Sequence, residues 1–116
     1  MSSEQQLTVF YCMYEEQQCV KPSEQFQPKN KDIRHLAEIV LADAKGSFIG
    51  FKDASNATLQ FMIIAPGQIV ADIPDAGSRG SFVKKMTTDQ ALEIIDGISA
   101  PLGRYKSELG LEFKKW

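Results

Sequence analysis

Residues Gly46 to Ile73 read GSFIGFKDASNATLQFMIIAPGQIVADI. Three apolar runs follow one another there, parted only by turn residues. Apolar β-branched and aromatic runs bounded by Asp, Asn, Pro and Gly are the signature of strands joined by tight turns. The stretch therefore predicts an antiparallel meander with strands at Phe48–Lys52, at Thr58–Ile64 and at Gln68–Ile73, the last stopped by Pro74. Asp53-Ala54-Ser55-Asn56-Ala57 has hairpin length, and Pro66-Gly67 turns the chain. The middle strand is apolar on both faces and is expected at the centre of the sheet. Connections this short leave little room for a conventional catalytic loop.

Upstream, Leu7 to Tyr14 reads as a further strand, with Leu7, Val9, Tyr11 and Met13 on one face. Residues 1–6 are polar and expected to fray. Glu15 to Lys29, with Pro22 and Pro28, reads as a long polar loop anchored by Phe26. Ile33, Leu36, Ala37, Val40, Leu41 and Ala44 then make one helical apolar face, with Asn30 as N-cap, Asp32 near the start, Lys45 in the last turn and Gly46 as the stop. Downstream, residues 74–80 are expected as a flexible loop and Ser81 to Met86 as a short strand. Thr87 with Gln90 forms a capping box for a helix carrying Ala91, Leu92, Ile95 and Ile98. Residues 104–116 suit a helical turn followed by a terminal strand. The sum is a single α+β domain over residues 1–116: an antiparallel meander sheet of four to five strands with two helices packed on one face.

Composition narrows the function. The 116 residues carry a net charge of −2, and the 13 Lys and Arg form no long basic stripe, which is a poor footprint for nucleic-acid binding. The N-terminus lacks a basic start and an apolar core of signal-peptide length, and no apolar run is long enough to span a bilayer. Only Cys12 and Cys19 are present, fewer than a disulfide framework normally uses. A cytoplasmic protein with reduced thiols is the expectation, with no nucleic acid and no membrane among its partners.

Reactive constellations are sparse. Cys12 with His35 is the pairing a thiolate mechanism would need, yet one lies inside a strand and the other off the apolar helix stripe, so they read as a small hydrophobe and a surface imidazole. Two cysteines and one histidine fall short of a four-ligand zinc site. Gly77-Ser78-Arg79-Gly80 offers glycines and an arginine to a phosphate, but runs into a strand instead of a helix. No catalytic residue, metal ligand or cofactor is assigned. Asp72 stands apart: it interrupts an apolar strand and shares a face with Val70, opposite Ile69, Ala71 and Ile73. Buried, it would need a partner; on an open face, it is a carboxylate displayed on a rigid platform.

The order of elements, with Gly46-Ser47-Phe48-Ile49, Leu59-Gln60-Phe61, Val70-Ala71-Asp72, the helix from Thr87 to Ile98 and the tail Leu111-Glu112-Phe113-Lys114-Lys115-Trp116, resembles small immunity proteins of bacterial polymorphic-toxin, contact-dependent or type VI secretion systems. The resemblance spans about residues 30–116. Where that family carries a glutamate followed by an aromatic residue, this chain has Asp72-Ile73. The resemblance implies a non-enzymatic inhibitor that binds a cognate toxin or effector and occludes its active site, as a monomer or homodimer. Partner contacts are expected from the sheet face around Asp53 and Asp72, from Asp75 and Arg79 in the 74–80 loop, and from the aromatics Phe51 and Tyr14, with Tyr11 and Trp116 as further anchors. A secretion chaperone that holds an extended effector segment is the alternative.

Overall fold

The computed structural model describes residues 7–20 and 30–116. Its strands are β1 (Thr8–Met13), β2 (Gln18–Val20), β3 (Phe48–Lys52), β4 (Thr58–Ala65), β5 (Gln68–Asp75), β6 (Gly80–Thr87) and β7 (Glu112–Lys115). Its helices are α1 (Asn30–Val40), α2 (Thr88–Asp96) and the single turn α3 (Tyr105–Glu108). The seven strands form one sheet in the order β2-β1-β3-β4-β5-β6-β7, and every neighbouring pair is antiparallel. β4 is central, as its two-sided apolar sequence requires. The α+β class and the meander stand; the sheet is wider than the four to five strands expected.

Alternation decides which side chains meet the helices. Val9, Ile49, Phe51, Leu59, Phe61, Ile63, Ile69, Ala71 and Ile73 point to one face and are buried against Ile33, Ala37 and Val40 of α1 and Ala91, Leu92 and Ile95 of α2. Each large side chain so buried contributes about 1.5–3 kcal/mol. Phe51 and Phe61 meet edge to face with ring centroids 6.4 Å apart. No helix among the described residues is long and apolar enough to cross a membrane.

Several expectations change. α1 stops at Val40 instead of running to Lys45, so Lys45 is not in its last turn. Beyond Val40, Ala42 and Asp43 donate to the carbonyls of Ile39 and Val40, three residues back, which tightens and ends the helix. Gly46, at φ 94°, then turns the chain so that its amide reaches the Ile63 carbonyl at 2.8 Å. Asn30 is the first helical residue. The fraying expected at residues 1–6 and the loop with Pro22, Phe26 and Pro28 lie outside the described residues, as do the side chains of Asn30 and Asp32.

The cysteines are the clearest correction. Instead of two reduced thiols, Cys12 and Cys19 face each other across β1 and β2 and are bonded as a disulfide. The four-residue turn Tyr14–Gln17, with Gln17 at φ 56°, sets the register that brings them opposite. The expected flexible loop at 74–80 is instead a short 3-10 turn at Ala76–Ser78: Asp75 Oδ1 accepts the Ser78 amide, and Arg79 closes it at φ 54°. β5 continues through Pro74 because its ladder with β4 ends at Asp72, where proline removes no bond to that neighbour. The Thr87–Gln90 capping box forms at α2.

Candidate functional site

Among the described residues no helix packs on the second face of the sheet. Residues directly opposite in an antiparallel ladder share a face, so the registers define its rows. One row is Cys12, Phe48, Met62, Val70 and Lys85. The next is Phe10, Gly50, Gln60, Asp72, Val83 and Glu112. Phe48, Met62, Val70 and Val83 are half-buried although nothing helical covers them, and Lys85 and Glu112 at the far end are exposed. The face is an apolar strip with a charged margin.

Glycine shapes one end of this strip. Gly50 has no side chain, so the Phe10 ring lies across β3; a Cβ at Gly50 would collide with the outer edge of that ring. Phe10 meets Phe48 edge to face at 6.2 Å. Beside this pair lies an apolar hollow of ≈ 390 Å³, lined by Phe10, Tyr11, Cys12, Cys19, Val20, Phe48 and Gln60. At the other end, Trp116 is 69% exposed, and its indole N–H donates to Ser81 Oγ at 3.0 Å. That bond and the Trp116 amide on the Arg79 carbonyl at 2.9 Å hold the ring at the margin of the face.

Asp72 sits in the middle of the strip. Its Oδ1 is buried and has no hydrogen-bond partner among the described residues. Burial pushes the carboxyl above its usual range, and the neighbouring Ser81 hydroxyl and Gln60 amide hold back the rise. The sequence-derived placement of Asp72 with Val70, away from Ile69, Ala71 and Ile73, is the one observed.

The other expected contact residues scatter. Phe51 is fully buried on the helix side and is not on the open face. Asp53 is 6% exposed, with its carboxylate spent on the amides of Ser55, Ala57 and Leu102 and the Ser55 hydroxyl. Both are structural, which removes them from any contact surface. Asp75 and Arg79 lie together in the β5–β6 turn, where Asp75 also pairs with Lys106 at 3.7 Å. Tyr14, 55% exposed, lies in the β1–β2 turn at the opposite end of the sheet, beside Gly46. Sequence reasoning expected contacts from the sheet face around Asp72 but did not name Phe48, Val70 and Val83 among them. Their signal is the second set of alternating apolar positions in β3–β6, left over once the helix-facing set is assigned.

In comparisons with known proteins, no family model, no curated protein and no solved structure matches this chain.

Proposed function

We propose that this chain is a non-enzymatic binding protein that neutralises a cognate toxin or effector by laying the helix-free sheet face over its active site. The observation that carries this reading is the strip of Phe48, Met62, Val70 and Val83, half-buried with no covering helix among the described residues, with Gln60 and Asp72 set within it and Lys85, Glu112 and Trp116 at its margin. An apolar centre with a polar, charged margin and a fixed aromatic is the anatomy of a protein interface. Six cross-strand ladders keep the face stiff, which limits the ordering cost of binding. The resemblance to small immunity proteins supplies the class of partner.

Residence in the cytoplasm belongs to this reading, and the Cys12–Cys19 bond pulls against it, because cytosolic thiols are kept reduced. Alkylation of the protein in intact cells, read by mass, separates the two: blocked thiols place it in a reducing compartment.

The test is co-expression with the product of the neighbouring reading frame. Protection of the host and co-purification are expected, and Met62→Asp with Val70→Asp should abolish both while the melting transition survives. Unchanged protection by that variant would remove the face from the mechanism.

The hollow beside β2 favours a second reading, a secretion chaperone that seats an extended effector segment against a short edge strand. Binding to an unfolded effector segment, without protection against the folded toxin, would select it.

A further inference from the structure

Among the described residues β7 is one of the two outer strands of the sheet, and all four of its residues are exposed. Its outward backbone groups follow from one bond. The Trp116 amide donates to the Arg79 carbonyl, and in an antiparallel ladder bonded pairs alternate. Ser81 with Lys114 and Val83 with Glu112 are therefore the pairs that face β6, in the register observed. Phe113 and Lys115 point their N–H and C=O groups away from the sheet. The same parity turns the Leu111 carbonyl outward, while the Leu111 amide is already taken by the Lys106 carbonyl at 3.0 Å.

An edge with unpaired donors and acceptors is a template for another strand, and proteins that keep such an edge single guard it with lysine or proline. β7 has no proline, and its lysines are set beside a glutamate in the order Glu112-Phe113-Lys114-Lys115. We propose that two copies of this chain join antiparallel along β7, about a twofold axis at Phe113, into one continuous sheet.

The register follows from charge. With the axis at Phe113, Glu112 lies opposite the partner's Lys114, and Lys114 opposite the partner's Glu112. With the axis at Lys114, lysine meets lysine; with the axis at Glu112, glutamate meets glutamate. Directly opposed like charges destabilise a strand pair and opposed unlike charges support it. The first register is also compatible with the backbone: Phe113 bonds its twin through both outward groups, and the Lys115 amide reaches the partner's Leu111 carbonyl. The existing Glu112–Lys114 contact within the strand, 3.4 Å between exposed groups, is exchanged at little cost. Phe113, 41% exposed and packed at a tilt against Phe82 with centroids 5.2 Å apart, gains a second aromatic neighbour in its twin. The occupant of this edge is thus a second copy of the chain, and the join leaves the open face of both copies on one side.

Sedimentation of the full chain from low micromolar to millimolar concentration tests the proposal. A dimer is expected. Glu112→Lys and Lys114→Glu each place like charges at both symmetry-related positions and should weaken it about tenfold or more; the two substitutions together restore unlike pairs and should restore the dimer. Amide exchange gives a second readout on the unaltered protein. Phe113 and Lys115 amides are protected in the dimer and exchange rapidly in Glu112→Lys, whereas the Lys114 amide, bonded to β6, stays protected in both. A chain that remains monomeric throughout the range overturns the proposal. So does a dimer that ignores both single substitutions or whose Phe113 and Lys115 amides exchange freely.

Discussion

Asp53 and Leu102 are joined across 49 residues of chain by a buried hydrogen bond, the Leu102 amide donating to Asp53 Oδ2 at 2.8 Å. The other carboxylate oxygen accepts the amides of Ser55 and Ala57, each at 3.0 Å, and the Ser55 hydroxyl at 2.8 Å. One side chain thus closes the β3–β4 turn and fastens to it the segment that buries Leu102 and Tyr105. That segment is further braced by Arg104, which donates to the Ser99 carbonyl and hydroxyl and lies 4.5 Å over the Tyr105 ring.

Acid stability should report this contact. Burial opposes the Asp53 charge, but the amides of Leu102, Ala57 and Ser55 and the Ser55 hydroxyl outweigh it, so the carboxyl sits below its ordinary range. A carboxyl lowered on folding stabilises fully above the unfolded value, about 3.9, and loses that contribution as pH falls through the lower folded value. Asp53→Asn should lose about 1.5–3 kcal/mol at neutral pH and show a flatter acid limb in denaturant titrations. Equal acid limbs in both proteins would mean that the contact does not titrate with folding.

Asp72 should behave in the opposite sense. Its carboxyl is raised, so the folded state holds the proton more tightly than the unfolded chain. Stability is then greatest below the unfolded value, falls as pH rises from about 3.9 through the raised folded value, and is level above it. Asp72→Asn removes the buried charge and should stabilise the protein at pH 7 by roughly 1 kcal/mol, with little effect at acid pH. Thermal melts at the two pH values decide it; a loss at pH 7 would show that the charge is already satisfied.

Removing the cap of α2 should be mild and local. Thr87 Oγ1 accepts the Gln90 amide at 3.1 Å, and Gln90 Oε1 accepts the Thr87 amide at 2.9 Å. Thr87→Ala should destabilise by about 1 kcal/mol, and Thr87→Ser should restore most of it. Chemical denaturation of the three proteins is the measurement.

Gly50→Ala should be costlier than its single methyl suggests. The new Cβ would collide with the Phe10 ring, which must leave its place across β3 and its contact with Phe48. A loss of about 1–3 kcal/mol is expected, and Phe10→Leu in the same background should recover part of it. If Phe10→Leu makes no difference to Gly50→Ala, the ring is not what excludes the methyl.

Parts of this protein were legible because their causes are local. The placement of Asp72 beside Val70 needs only the two-residue period of a strand, and the α2 cap needs only Thr87 and Gln90. β3 was harder, because Phe48-Ile49-Gly50-Phe51 is apolar on both faces and alternation alone does not say which ring meets a helix. Phe51 turned inward with Ile49, and Phe48 outward with Met62. Asp53 read as a surface turn residue because its partner Leu102 is far away in sequence.

By itself the chain's order of residues determined an antiparallel sheet, its central strand, the faces of β5 and the start of α2, since period and neighbouring side chains suffice for these. Only the tertiary structure decided that Cys12 meets Cys19, that Asp53 is buried, and that Phe51 and not Phe48 turns toward the helices. Those outcomes depend on which distant segments pack together, and burial is a property of that packing, not of any residue's neighbours in sequence.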